Sequence, residues 1–248
     1  MLQLIDHPNG IRELNLAHAP VNALGPELLR ALREQIAVAV SDGTQGLILS
    51  GRPGLFTAGL DVPALLPLQR PALRQAMDDF FGIFAALAAS PIPVVAAITG
   101  HSPAGGAVIS IFCDYRIMAT GDYRIGLNEV QVGLVAPECV QNALRRLVGP
   151  YRAERLLVAG SMITGAEAHA CGMVDELRPV EGVVPAAVEW LQQLARLPRH
   201  AVLATRRIAR AELVAPFAAG FDLDAFLDDW FNIETQTALH ALVARLKK

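Results

Sequence analysis

The chain has 248 residues, with 21 Lys and Arg against 24 Asp and Glu, so its formal net charge is −3. This length is enough for one large domain or two small ones, with a sizeable core. Hydrophobic residues make up 53% of the chain and charged residues only 18%, which excludes intrinsic disorder and predicts subunit interfaces buried in an oligomer. The slightly acidic balance gives no electrostatic footprint for nucleic acid or for an anionic membrane.

The cysteines Cys113, Cys139 and Cys171 have neither CxxC spacing nor an even count. Neither a disulfide framework nor a zinc site is therefore predicted, and a reduced, cytoplasmic location is expected. The first ten residues lack the regions of a signal peptide. The mostly apolar stretch 80–98 is interrupted by the prolines of residues 90–93 (SPIP), so a helix followed by a strand is predicted there rather than a membrane span.

In chain order, the first predicted element is a hairpin of residues 2–5 and 11–16, because Asn-Gly separates two short apolar runs. A helix opens at Gly25-Pro26, since proline is favoured at the first helical position and an apolar stripe follows. The pattern then predicts a buried strand over 46–50, a helix over 71–89 and a buried strand over 94–99.

Residues 100–106 are predicted as a small-residue loop that leads into an apolar helix ending at Cys113 and a strand over 115–118. The pattern becomes mainly helical from Pro137, with a capping box at Thr164 and Glu167 and a last strand over 173–177. Helices are predicted from 181 to 248, with breaks at Pro198 and around Pro216. Alternating strands and helices followed by a helical tail indicate an α/β fold.

Two small-residue turns are candidates for chemistry. Residues 56–61 (FTAGLD) precede a predicted helix that Asp61 would cap, and residues 103–106 (PAGG) lie between a strand and a helix. Small residues let a ligand approach free backbone N–H groups, and two converging N–H groups form an oxyanion hole. On spacing alone, ordinary tight turns are the preferred interpretation.

Glu129 is an isolated carboxylate in the apolar segment 125–133, with no basic neighbour in sequence. If this carboxyl is buried, its pKa rises toward the range useful for proton transfer. A glutamate in a surface loop is the alternative, and composition supports it at least as well. The chain shows no G-x-S-x-G elbow, no phosphate-binding loop and no metal-ligand spacing.

Taken together, these segments resemble the crotonase superfamily of enoyl-CoA hydratases and isomerases. The segments that carry the resemblance are, in order, 56–61 (FTAGLD), 93–100 (PVVAAITG), 104–106 (AGG) and 113–114 (CD), and the match extends from 20–24 (PVNAL) to the C-terminal helices. The resemblance implies a spiral of ββα repeats over residues 1–195 and a helical region for trimerisation over 196–248. It also implies an acyl-CoA thioester as ligand and a homotrimer or hexamer. No metal is implied, and no cofactor besides the CoA of the substrate.

Carried over by position, the resemblance assigns the oxyanion-binding N–H groups to Ala58 and Gly105 and the catalytic carboxylate to Glu129. The implied substrate-binding residues are Asn22, Ala23, Thr57, Ala58, Gly59, Leu60, Asp61, Gly105, Gly106, Val108 and Pro137. The basic end of the chain, Arg245, Lys247 and Lys248, could reach CoA phosphates, but a solvated helix end is preferred. A core role is likewise preferred to an acyl tunnel for the aromatic residues Phe80, Phe81, Phe84, Phe226 and Phe231.

Hydratases of this superfamily use two glutamates to add water, and the first of these positions is Val108 here. Pro137 stands where a glycine helps to seat the water. The chain is instead similar to the mitochondrial-type Δ3,Δ2-enoyl-CoA isomerases, which have an apolar residue at the first position and keep the single glutamate. Isomerisation of 3-enoyl-CoA to 2-enoyl-CoA with one base is therefore expected, in fatty-acid β-oxidation or another acyl-CoA degradation. The alternatives are a hydratase with Glu138 as second acid, another acyl-CoA reaction of the superfamily, and a non-catalytic acyl-CoA binder.

Overall fold

The computed structural model describes residues 2–218 and 221–246. Its strands are β1 (Leu2–His7), β2 (Ile11–Leu16), β3 (Gly46–Ser50), β4 (Gly54–Leu55), β5 (Val94–Ile98), β6 (Gly100–Pro103), β7 (Tyr115–Ala119), β8 (Arg124–Gly126), β9 (Ile163–Thr164) and β10 (Glu176–Arg178). Its helices are α1 (Pro26–Ser41), α2 (Val62–Leu65), α3 (Arg70–Ala89), α4 (Gly105–Ile111), α5 (Glu138–Val148), α6 (Pro150–Ala159), α7 (Gly165–Ala170), α8 (Val180–Ala195), α9 (Arg199–Ala209), α10 (Ala211–Ala218), α11 (Leu223–Trp230) and α12 (Ile233–Leu246). Short 3₁₀ turns cover Pro8–Gly10 and Glu129–Val132.

Two sheets run through the molecule, with the strand orders β1-β2-β3-β5-β7-β10 and β4-β6-β8-β9. Three successive turns of the chain, which begin at β3, β5 and β7, each place one strand in the first sheet, the next strand in the second sheet and then a helix, as in β5, β6 and α4. The strands β3 and β5 are buried along their whole length, as parallel strands covered on both faces should be. The predicted α/β spiral of ββα repeats is confirmed.

The structure contains several of the predicted elements, and their local sequence explains why they form. Asn9 and Gly10 adopt φ values of 66° and 70°, which fit the tight connection of the β1–β2 hairpin. Helix α1 begins at Pro26 and buries the stripe of Leu28, Leu29, Leu32 and Ile36. Helix α7 carries the predicted capping box between Thr164 and Glu167. Within the described residues, no helix is long and apolar enough to cross a membrane.

Three predicted element boundaries differ from those of the structure. Gly100 to Pro103 form strand β6 and not a loop, because a glycine at position 100 lets the chain approach the backbone of Gly54 closely enough to pair. The last strand, predicted over 173–177, is β10 at Glu176–Arg178. Pro216 lies inside α10, and the predicted break near it follows at residues 221–222, before α11 begins at Leu223; a further break falls at Arg210, the C-cap residue of α9. Leu213 of α10 is buried in the core.

Buried ion pairs attach the C-terminal helices to the rest of the fold. Arg206 binds both carboxylate oxygens of Asp114 at 2.7 Å, and Arg210 binds one of them at 3.1 Å. Arg210 also donates to the carbonyls of Leu87 and Phe112, at 3.0 and 2.7 Å. These bonds join α9 to the end of α3 and to the loop after α4. The division of the chain at residue 195 stays a prediction.

We expect Arg210→Met to lower the free energy of unfolding by about 3 kcal/mol, because it leaves buried carbonyls and part of the Asp114 charge without a partner. Arg207→Met is the matched control, since Arg207 is exposed on the same helix, and it should change stability by less than about 0.5 kcal/mol. Urea unfolding measures both variants. Equal stability of the two variants would contradict this account of how α9 is held.

Candidate active site

A cavity of about 680 Å³ lies between the turn that precedes α1, the aromatic face of α3, the segment 128–137 and helix α12. It contains eight of the predicted site residues: Ala23, Ala58, Leu60, Asp61, Gly105, Val108, Glu129 and Pro137. A surface groove of about 760 Å³ beside α6 is larger but contains none of them. The smaller cavity, which is lined by predicted site residues, is therefore the candidate active site.

Four predicted substrate-binding residues lie behind the cavity wall. Asn22 is 1% exposed, donates to the Phe56 carbonyl at 3.0 Å and accepts from the His18 N–H at 2.9 Å. The Thr57 hydroxyl donates to the Asn22 carbonyl at 2.6 Å and accepts from the Gly59 N–H at 3.1 Å. These side chains brace the turn that carries Ala58 and Leu60.

Gly106 also supports the site from behind. A Cβ atom there would lie 2.6 Å from Thr57 Cγ2 and 2.8 Å from Ser102 Oγ, so only glycine lets the start of α4 pack this tightly. The prediction that Asn22, Thr57, Gly59 and Gly106 contact substrate is replaced by a scaffolding role, because none of them lines the cavity.

The turn 57–61 pairs with the segment 21–24 through its backbone. Ala58 N–H donates to the Val21 carbonyl at 3.0 Å, so this N–H is not available to an oxyanion, which corrects the sequence-based assignment. Asp61 N–H is bound to the Leu24 carbonyl at 3.2 Å. Leu60 N–H has no hydrogen-bond partner among residues 2–218 and 221–246, and Leu60 lines the cavity.

Gly105 provides a second N–H without a partner within the same described ranges. The two turns touch here, since a Cβ atom on Gly59 would lie 3.4 Å from the nitrogen of Gly105. The carbonyl of Ala104 belongs to the same peptide unit and accepts from Val108 N–H at 2.9 Å, which polarises the Gly105 N–H. Leu60 and Gly105 thus offer two backbone donors beside one cavity.

Glu129 begins the 3₁₀ turn that follows β8, and its side chain belongs to the cavity wall. The Oε2 atom is buried and has no hydrogen-bond partner in the described chain. Burial raises the pKa of this carboxyl to about 7. Val108 is 3% exposed and is part of the apolar wall of the cavity.

The other titratable side chains of the cavity lining are His18, Asp61 and Arg245. Asp61 accepts from the Ala64 N–H at 3.0 Å and caps α2, as predicted. Arg245 lines the cavity, whereas Lys247 and Lys248 lie outside the described residues.

Most of the aromatic residues both pack in the core and line the cavity. Phe80, Phe81, Phe84 and Phe226 are buried and also line the cavity. Phe231 is 39% exposed and does neither. These four side chains therefore pack in the core and also form part of the cavity wall.

Comparison with known proteins agrees with this geometry. The sequence model of the family described as enoyl-CoA hydratase/isomerase matches residues 6–246. The chain belongs to this family. It is 32% identical over 247 residues to the mitochondrial enoyl-CoA delta isomerase 1 of Homo sapiens, covering 96% of this chain and 81% of the relative.

A probable enoyl-CoA hydratase of Mycobacterium avium is also 32% identical, over 88% of this chain and 91% of that protein. The crystal structure of human mitochondrial Δ3,Δ2-enoyl-CoA isomerase superposes with a TM-score of 0.94 at 30% identity, covering 99% of this chain and 98% of that one. Members of the enoyl-CoA hydratase/isomerase family are enzymes, and relatives named for both activities resemble this chain.

The buried carboxyl of Glu129 gives a direct prediction. We expect its ¹³C resonance, in protein labelled at glutamate side chains, to titrate with a midpoint near pH 7, well above the ordinary value of 4.5. The absence of this resonance in Glu129→Gln assigns it. A midpoint below pH 5 would show that water or a partner solvates the carboxylate.

Proposed function

We propose that this enzyme isomerises 3-enoyl-CoA to 2-enoyl-CoA with Glu129 as its single base. The observation that supports the proposal is a buried carboxyl in an apolar cavity beside two backbone N–H groups. Its Oε2 atom and those two N–H groups have no hydrogen-bond partner among residues 2–218 and 221–246. A binding module has no need of such a carboxyl, because burying it costs stability. The human relatives in sequence and in structure, both named as isomerases, agree with this choice.

The first step removes a proton from C2 of the substrate. C2 lies between the thioester and the double bond, and both acidify its hydrogen. The Glu129 carboxylate takes the proton, and the C–H electron pair moves into a dienolate whose negative charge reaches the thioester oxygen. The N–H groups of Leu60 and Gly105 stabilise that oxygen, and loss of one such donor typically costs about 10²–10³ in rate.

The second step returns the same proton. Protonated Glu129 delivers it to C4, the double bond settles between C2 and C3, and the charge leaves the thioester oxygen. One carboxyl suffices because C2 and C4 of an allylic unit can face the same side. A pKa near 7 suits a group that must both accept and donate a proton near neutral pH.

Hydration of 2-enoyl-CoA is the second candidate function, because a relative from Mycobacterium avium is named as a probable hydratase. Hydration needs a second acid near Glu129. Glu138 is exposed and lines an adjoining cavity with Asp222 and Asp229 but not the cavity that contains Glu129, and Asp61 caps α2. Val108 fills the position where the resemblance places the other glutamate, which favours isomerisation.

The remaining expectations stay predictions that belong to this proposal. The acyl-CoA thioester is the expected substrate, and the reaction uses no cofactor beyond its CoA. A homotrimer or hexamer is expected. A reduced, cytoplasmic location is expected as well, although the human relative is named as mitochondrial. Cys113, Cys139 and Cys171 are unpaired.

We expect Glu129→Gln to lower the kcat for 3-enoyl-CoA by about 10²–10⁴-fold, because the amide cannot accept the C2 proton. Conjugated-thioester absorbance follows the reaction, and mass spectrometry shows whether the product has the mass of the substrate. Glu138→Gln is the matched control and should retain wild-type activity. A Glu129→Gln variant with unchanged activity would contradict the one-base mechanism.

The same assay with 2-enoyl-CoA separates the two candidate functions. An isomerase adds little water to this substrate, so the wild-type enzyme should give no substantial product heavier by one water. Hydration at a rate comparable to isomerisation would mean that a second acid exists and that Val108 has been misinterpreted.

A further inference from the structure

Asn128 lies next to Glu129 and lines the cavity. An asparagine at the N-cap of a helical turn ordinarily accepts a hydrogen bond from a backbone N–H of that turn. Asn128 makes no such bond to the turn Glu129–Val132. Its Oδ1 atom instead accepts from the Ala104 N–H at 3.1 Å, on a segment 24 residues earlier in the chain. The Asn128 side chain therefore links two distant segments of the chain and does not cap its own turn.

The residue that Asn128 holds has a strained backbone. Ala104 has φ 42° and ψ −115°, a conformation that residues with a Cβ atom rarely adopt. Such strain costs on the order of 1–3 kcal/mol and persists only where the surroundings fix it. The Ala104 N–H is shared between the Gly126 carbonyl, at 2.8 Å, and Asn128 Oδ1. Asn128 is thus one of two acceptors that hold the peptide unit between Pro103 and Ala104, one residue before the Gly105 N–H.

These bonds connect the two halves of the site. Strands β6 and β8 are parallel, with Pro103 opposite Gly126, so the segments that carry Gly105 and Glu129 leave the same end of the sheet. Backbone pairing between them ends at the bond from Ala104 to Gly126. The Asn128 side chain adds a bond beyond that point, where the two segments would otherwise be free to separate.

Resting on the proposed function, we infer that Asn128 is a positioning residue that sets the spacing between the Glu129 carboxyl and the Gly105 N–H by holding Ala104. It acts through Ala104 and does not transfer a proton. A base and an oxyanion donor must face one substrate together, and a misplacement of about 1 Å costs on the order of 10² in rate.

Two substitutions separate this role from a purely structural one. Asn128→Leu keeps a similar shape and removes the acceptor, and it should lower kcat by about 10–10²-fold while KM changes by less than about threefold. Asn128→Asp keeps the acceptor and should restore kcat to within about threefold of wild type on the alkaline plateau of its pH profile. Its acid limb should move to higher pH, since a second carboxylate beside Glu129 disfavours ionisation while His18, Asp61 and Arg245 are unchanged.

Asn232→Leu is the matched control. Asn232 is exposed, lies outside the cavity lining and accepts one hydrogen bond from the Glu234 N–H at 2.9 Å, so the variant loses the same kind of bond elsewhere. Its kcat should equal that of the wild type. An unchanged kcat in Asn128→Leu, or an Asn128→Asp variant as slow as Asn128→Leu, would overturn the inference.

Amide hydrogen exchange provides a readout that does not depend on activity. The Ala104 N–H should exchange at least about tenfold faster in Asn128→Leu than in the wild type, and at the wild-type rate in Asn128→Asp. A wild-type enzyme that does not isomerise 3-enoyl-CoA refutes the proposed function, whereas unchanged Ala104 exchange in Asn128→Leu refutes the role of Asn128. If Asn128→Leu loses protection throughout β6 and β8, Asn128→Ser, whose shorter side chain does not reach Ala104, replaces it with the same expected losses.

Discussion

The cost of burying the Glu129 carboxyl in an apolar cavity governs the arrangement of this site. Its pKa rises from 4.5 to about 7, and one pKa unit corresponds to about 1.4 kcal/mol, so the charged form costs on the order of 3 kcal/mol in the folded protein. The unfolded chain loses this proton near pH 4.5 and the folded chain near pH 7. Stability therefore falls as pH rises through that interval. The proposed chemistry makes use of this cost.

The rest of the structure keeps that carboxyl buried. Aromatic residues of α3 and Phe226 of α11 close the cavity, and Val108 supplies an apolar wall where a second acid would bring water. The buried contacts of Arg206 and Arg210 with Asp114 attach α9 to the core, and α12 completes the cavity wall. Destabilising the C-terminal helices would therefore disturb the walls of the cavity without changing the reacting groups.

The sequence predicted the main elements because those depend on local patterns, such as the apolar periodicity of α1 and α3. The isolated glutamate in an apolar segment made Glu129 a candidate, and only the family resemblance assigned it the role of a base. The oxyanion donors depend on hydrogen bonds between distant segments, and sequence spacing does not show which N–H is already bound. The family resemblance assigns one donor to Ala58, whereas the Ala58 N–H binds the Val21 carbonyl and the neighbouring N–H without a partner among residues 2–218 and 221–246 is that of Leu60. The pairing of Asn128 with Ala104 is equally non-local and left no signal in the sequence.

The central claim is that one carboxyl carries the same proton from C2 to C4. The most direct test is to convert 3-enoyl-CoA deuterated at C2 in ordinary water and to measure deuterium at C4 of the 2-enoyl-CoA product by mass spectrometry and NMR. A single base in a dry cavity predicts that a substantial fraction of the product carries deuterium at C4. Complete loss of deuterium to the solvent, in an enzyme that still isomerises, would contradict the account.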